Sequence, residues 1–367
     1  MVPLRRVGWL ASLAVLTLTS CGGGDPSRLE PLVRESAAET ATTPPVEPST
    51  TALAPTSTDP PPLSVPPIET TTTTPPPPPT TAPPVTVAAA SAKALASPLR
   101  VVGDIAPYAG LGTWVDVYDW SHYKGTTPTV GPDQVDQMAA EGVQTLFIQT
   151  AKHDTPDMIL ERDLLDPIVA RAHQRGMRVV AWYLPTLDDV DNDLDRLLAS
   201  AALDVDGLAV DIESRKVADP GERSLRLVDL SRRLREALPG RAIGAIVMPP
   251  VQLEVVNPNF WPGFPWREIA PSYDVWQTMG YWTDRKQSSG YRDPYVYTDE
   301  NLRRLRNNLG DPTAPVSPVG GVGALGNGDI EAFLRAAVEN RAIGGSIYDW
   351  RTTEAGAWPA LRGFRTA

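Results

Sequence analysis

From about Leu99 onward, short apolar runs rich in β-branched residues alternate with helical patterns, and this alternation constrains the fold more than any other feature of the chain. The runs are TWVDVYDW (113–120), VQTLFIQTA (143–151), RVVAWYLP (178–185), GLAVDIES (207–214), AIGAIVMPP (242–250), DVWQTMGYW (274–282), VSPVGGVG (316–323) and GGSIYDW (344–350). Between them lie DQVDQMAAEG, LLDPIVARAHQRG, DVDNDLDRLLASAA, SLRLVDLSRRLREALPG, DENLRRLRNNLG and GDIEAFLRAAVENRA. In the fourth of these, Leu227, Leu230, Leu234 and Leu238 recur every three or four residues and Pro239-Gly240 closes the pattern, as for a helix with one apolar face. Gly142 and Gly176 stop two earlier helices. Such alternation belongs to the α/β class, a parallel sheet covered by helices. Eight strand–helix units over about 250 residues predict a closed (β/α)8 TIM barrel as a single domain; an open doubly wound sheet is the rival topology.

The chain ahead of this domain is of another kind. Arg5 and Arg6 precede WLASLAVLTL, an apolar run too short for a membrane span that reads as the core of a secretory signal. It ends in LTSC (18–21), which resembles a bacterial lipobox and implies that Cys21 becomes a lipidated first residue of the mature protein. Segments such as TTTTPPPPPTTAPPVTV follow and hold about half of the chain's 39 prolines. With so few large apolar residues that stretch cannot form a core, and a disordered tether is expected. The expected layout is signal peptide over 1–20, Pro/Thr-rich linker over 21–98 and barrel over 99–367. It describes an exported lipoprotein on the outer face of a bacterial cell membrane, reaching into the cell wall.

Charge excludes further classes. The formal net charge of -11 leaves no phosphate-neutralising surface, so no nucleic acid partner is expected. A single Cys rules out an intrachain disulfide and a Cys-based zinc site, and the 3 His are scattered, so neither a metal nor a cofactor is expected. A monomer is expected as well. Gly321-Val-Gly323-Ala-Leu-Gly326 spells a dinucleotide-type G-x-G-x-x-G but is read as the seventh βα-turn, since only one strand follows it. The acid-rich LDDVDNDLD (187–195) lacks the glycine and closing glutamate of an EF-hand and reads as a helix start.

In a barrel of this kind the working residues stand where strands end. Those ends offer Asp119 and Trp120, His153 and Asp154, Tyr183, Asp211 and Glu213, Gln277, Tyr281 and Trp282, and Asp349 and Trp350. The loops NPNFWPGFPWRE and TDRKQSSGYRDPYVYTDE add further aromatics. Flat aromatic faces beside carboxylates suit sugar rings, so Asp119, Trp120, Tyr183, Gln277, Trp282, Asp349 and Trp350 are candidate substrate-binding residues. In GLAVDIES a strand's period of two turns Asp211 and Glu213 to the same face, about 6.5 Å apart along the strand. A neighbouring negative charge and partial burial disfavour ionisation, which makes Glu213 the candidate general acid for cleaving a glycosidic bond.

These residues carry a family resemblance. DGLAVDIE (206–213) resembles the strand-four signature D-G-x-D-x-D-x-E of family 18 glycoside hydrolases, the chitinase-like enzymes, with Ala209 in place of the first inner Asp. QTMGYW is similar to that family's M-x-Y-D at Met279 and Tyr281, with Trp282 in place of the Asp, and GGSIYDW resembles its closing strand. VDVYDWSHYKG (115–125) resembles the first strand of family 25 lysozymes, D-V-S-x-Y-Q-G. The resemblance implies a distant relative of both. It implies that Asp211 orients a substrate 2-acetamido group for attack on the anomeric carbon while Tyr281 hydrogen-bonds the same group. Asp119 or Asp349 could instead serve as nucleophile or base from across the mouth. The expected function is hydrolysis of an N-acetylhexosamine-containing cell-wall or extracellular polysaccharide, with peptidoglycan glycan as a partner. A non-catalytic carbohydrate-binding or scaffolding barrel is the alternative, and Asp211 and Glu213 as mere caps of backbone N–H groups the plainest one.

Overall fold

The computed structural model describes residues 103–321, 325, 326 and 328–366. The expected signal peptide, Cys21 and the whole of the tether lie outside them, as do Val322, Gly323 and Ala324 of the glycine-rich turn. The strands are β1 Gly110–Val115, β2 Thr145–Gln149, β3 Arg178–Tyr183, β4 Gly207–Ile212, β5 Ile243–Val247, β6 Val275–Gly280, β7 Val319–Gly320 and β8 Gly344–Ile347. They pair in parallel in chain order, and β8 pairs with β1, so the sheet is a closed (β/α)8 barrel. The long helices are α1 Pro132–Glu141, α2 Arg162–Gln174, α3 Val190–Ala201, α4 Pro220–Ala237, α5 Pro294–Leu309 and α6 Asp329–Glu339. Among the described residues no helix is long and apolar enough to cross a membrane.

The acidic helix starts do what their chemistry favours. Asp189 accepts from the Asn192 N–H (3.0 Å), Asp219 from Glu222 (2.7 Å) and Asp293 from Val296 (2.9 Å), each satisfying an otherwise orphaned donor at the positive end of a helix. The LDDVDNDLD stretch is thus the start of α3. Asp293 also begins α5 earlier than the leucine pattern suggests, so the loop after β6 is shorter than expected.

Between β5 and β6 no long helix forms. A π-helical turn, Gln252–Val256, and a one-turn helix, Trp266–Ile269, occupy the crossover. The aromatics of NPNFWPGFPWRE were expected to line the mouth, and they build a small core instead. Phe260, Trp261, Phe264 and Trp266 are buried, Phe264 lies 5.0 Å from Trp261 and 4.3 Å from Trp266, and the Arg223 guanidinium covers the Trp261 ring at 4.5 Å. Burying these rings supplies the apolar cover that a helix would otherwise give β5 and β6.

Strand alternation divides the core into two layers. Leu111, Val115, Leu146, Ile148 and Val179 face outward and pack with Val135, Met138, Leu165 and Ile168 of the helices. Trp114, Phe147 and Trp182 fill the lumen, with Trp114 stacked on Phe147 at 4.4 Å and edge-on to Trp182 at 6.0 Å. Gly112 makes that stack possible, because a Cβ there would sit 2.6 Å from the Phe147 ring. Tyr108 seals the lower end. Its hydroxyl donates to the Leu208 carbonyl (2.7 Å), lies 3.0 Å from the Ala242 carbonyl and accepts from the Leu208 N–H (3.0 Å). Tyr108→Phe leaves these buried backbone groups without a partner and is expected to lower the unfolding free energy by about 1–3 kcal/mol in urea denaturation.

Candidate active site

The upper mouth of the barrel is built first from β4. Asp211 is the last but one residue of the strand, in register with Ile246 of β5, and is 5% exposed; Glu213 follows the strand and is half-buried. Burial, and after it the charge of Glu213, push the Asp211 carboxyl well above the usual carboxylate range, while Lys152 from the loop after β2 opposes the shift. Tyr281 stands just after β6, its ring centroid 5.9 Å from that of Tyr348. Burial, then the charges of Glu213 and Asp211, keep its phenol protonated and able to donate. Asp211, Glu213 and Tyr281 therefore share one neighbourhood.

A second acidic group stands on the β1 and β8 side. β1 ends at Val115, earlier than the apolar pattern suggests, and Asp116 caps the one-turn helix Val117–Trp120 by accepting from the Tyr118 N–H at 2.7 Å. Asp116 also accepts from the Tyr348 hydroxyl at 3.2 Å. Asp119, within that turn, accepts from the Arg351 guanidinium at 2.6 Å, and its other oxygen is buried without a partner. Asp349 follows β8 and accepts from the Thr352 N–H at 2.8 Å. One oxygen from each of Asp116, Asp119 and Asp349 lies within 4.8 Å of the others. Burial first, then the charge of Asp349, pushes Asp116 up to about 6. Burial, then Asp116 and Asp349, pushes Asp119 up to about 7 against the pull of Arg351. Asp349 is raised chiefly by burial. Among the described residues this trio alone has the geometry to hold a metal ion, and hard oxygen donors would suit Ca²⁺ or Mg²⁺. Arg351 and the raised proton affinities already balance its charge.

The two groups are joined by Tyr348 and Tyr281, whose rings bridge from Asp116 toward Glu213, and by Lys152, whose charge acts on both Asp116 and Asp211. Asp119, Asp349, Asp211, Glu213 and Tyr281 are thus gathered at one mouth. Gln277 lies deeper, fully buried in the lumen.

Other candidates are placed elsewhere. Tyr183 faces outward and its hydroxyl donates to Asp193 on α3 at 2.6 Å, because the inward phase of β3 belongs to Trp182. Trp120 is fully buried in the outer layer, donating to the Gln149 carbonyl at 2.9 Å. Trp282 is likewise in the outer layer, donating to Asp329 at 3.2 Å beside Phe333. Trp350 packs against Trp358 at 5.3 Å on the helix side. None of these four rings is presented to the lumen.

Sequence reasoning passed over Asp116, Trp114, Trp182, Tyr348, Lys152 and Arg351. Asp116 had a signal, since it stands at the Asp of the D-V-S-like segment in VDVYDWSHYKG. Trp182 had one too, since the strand's phase decides between it and Tyr183. Arg351 had none, because it meets Asp119 across 232 residues of sequence.

These features define a (β/α)8 barrel whose C-terminal mouth is lined by two carboxylate groups and joined by tyrosines. The barrel is similar to that of the spore cortex-lytic enzyme SleL of Bacillus cereus, at 12% identity and a TM-score of 0.52 over 70% of this chain and 74% of that one. It is similar to a family GH18 chitinase from Cycas revoluta, whose structure is a complex with allosamidin, at 11% identity and a TM-score of 0.51 over 70% of this chain and 99% of that one. It is similar also to a class V chitinase from Pseudomonas fluorescens Pf-5, at 9% identity and a TM-score of 0.50 over the same shares. At such identities the shared property is the fold. No protein-family profile and no curated protein matches the sequence.

The acids also fix a pH response. Asp116 and Asp119 titrate higher folded than at their ordinary 3.8, so the folded state holds their protons more tightly than the unfolded chain does. Their contribution to stability is full below 3.8 and is lost as pH rises to about 7. Each such proton steepens the fall by up to about 1.4 kcal/mol per pH unit. Urea denaturation from pH 4 to pH 7 is expected to show this decline, and Asp119→Asn to flatten it.

Proposed function

We propose that the chain is a glycosidase that hydrolyses an N-acetylhexosamine-containing cell-wall or extracellular polysaccharide at the upper mouth of its barrel. The observation that carries this reading is the gathering of Asp211, Glu213 and Tyr281 on one side of the mouth, opposite Asp116, Asp119 and Asp349. Glu213 stands outermost of its pair and is the general acid to the leaving oxygen. Asp211, beneath it, polarises the 2-acetamido group, and the Tyr281 hydroxyl donates to that group. Burial, and after it the charge of Glu213, favour a proton on Asp211. Glycosidic cleavage needs an acid beside a group that steadies the positive anomeric carbon. Trp120 and Trp282 lie in the outer layer and not at the mouth, as the hydrolytic reading requires. On the same reading, lipid on Cys21 and the tether of residues 21–98 hold the barrel at the outer face of the membrane, within reach of the wall.

The test is release of reducing ends from peptidoglycan and from N-acetylglucosamine oligomers. The purified protein is expected to release them, and Glu213→Gln to lose about 10²–10⁴-fold in rate. Equal turnover by both proteins removes Glu213 from the mechanism; binding of glycan without turnover by the parent protein replaces hydrolysis with the carbohydrate-binding alternative.

A further inference from the structure

We propose that the lumen beneath Asp211 contains a built hydration site, formed by Gln277, Trp182 and Asp211, and that Gln277 is a positioning residue that solvates Asp211 through the water held there. The inference does not depend on the glycosidase reading.

Gln277 is 0% exposed, yet neither its Oε1 nor its Nε2 has a hydrogen-bonding partner. The Oδ1 of Asp211 and the Nε1 of Trp182 are also buried without partners. These side chains project from β6, β4 and β3 into the same lumen. Trp182 is in register with Ala209, one inward position below Asp211, while Asp211 is in register with Ile246 and Ile246 with Gln277. Below them, Gly244 and Ala209 lie over the Tyr108 ring that closes the lumen. A Cβ added to Gly244 would lie 2.9 Å from Gln277 Oε1 and 3.3 Å from the Ala209 Cβ, so the amide reaches over the two positions where β4 and β5 have almost no side chain. Ala209 is also the place where the strand-four pattern has an acid in the enzymes it resembles; here a neutral amide from β6 approaches that place from across the lumen.

An amide, an indole N–H and a carboxyl oxygen, each buried without a partner in one lumen, form an expensive arrangement, each group forfeiting its hydrogen bonds to water. Buried polar groups of native proteins are nearly always satisfied by protein or by ordered water. A buried water typically has two to four polar partners, and Gln277 offers a donor and an acceptor, Trp182 a donor and Asp211 a carboxyl oxygen. Water in that position hydrates the inner side of Asp211 and stabilises its ionised form. The other groups acting on Asp211 are Glu213 on its own strand, Lys152 from the loop after β2 and Tyr281 after β6. From β5, Ile246 is in register with Asp211, and from β3, Trp182 is in register with Ala209 below it.

Two measurements on the full protein test this. In a high-resolution crystal structure, ordered water is expected within hydrogen-bonding distance of both the Gln277 amide and Asp211 Oδ1; a dry lumen overturns the proposal. The second is infrared titration of the protonated-carboxyl band that disappears in Asp211→Asn. In Gln277→Met, of similar shape but unable to hold water, this band is expected to persist to a pH about one unit higher, a tenfold gain in proton affinity. An unchanged or lowered midpoint in a variant with native circular dichroism overturns the role of Gln277. Neither readout requires turnover of a glycan, so failure of the proposed function and failure of this inference are separable.

Discussion

Closing eight parallel strands into a ring gives every strand two faces that cannot be exchanged, one toward the lumen and one toward the helices. All else in the structure follows from which residues fall on which face. The lumen receives Trp114, Phe147, Trp182, Asp211 and Gln277; the outer layer receives Leu111, Val115, Ile148 and Val179. Because the lumen is narrow and sealed below by Tyr108, polar groups in it have only one another, bound water or an incoming ligand as partners. The chemistry is confined to the open end.

At that end the barrel concentrates negative charge in a place poor in water. Asp116, Asp119 and Asp349 face one another within 4.8 Å, with Arg351 as the guanidinium bonded to Asp119, and Asp211 lies beneath Glu213. Burial raises the proton affinities of Asp116, Asp119, Asp349 and Asp211, and a neighbouring carboxylate adds to it for Asp116, Asp119 and Asp211. On the proposed reading, Glu213 beside Asp211 supplies the acid that glycosidic cleavage needs. The same arrangement costs stability, which is a common feature of functional sites.

Much of this was legible in the sequence. Alternating apolar and amphipathic segments carried the barrel, and the period of two in GLAVDIES carried the inward face of Asp211. What was not legible depends on phase and on distant contacts. Tyr183 and Trp182 are neighbours of similar chemistry, and only the register of β3 decides which faces the lumen. Trp120 and Trp282 lie past the ends of β1 and β6, where a helical turn swings them into the outer layer and the period of two no longer applies. The aromatic loop after β5 looked like a sugar platform because composition cannot distinguish a ring that covers a missing helix from one that faces solvent. Asp116 was hidden by reading β1 as running on to Trp120, although the strand ends one residue before it.

On the proposed reading, the β1/β8 carboxylates and the β4 pair flank one sugar-binding site at the mouth. The most direct measurement is a crystal structure of the Glu213→Gln variant soaked with N-acetylglucosamine oligomers. A sugar ring is expected at the mouth beside Tyr281, with its 2-acetamido group against Asp211. Sugar bound only outside the mouth, or a mouth that stays empty at saturating oligomer, would contradict it.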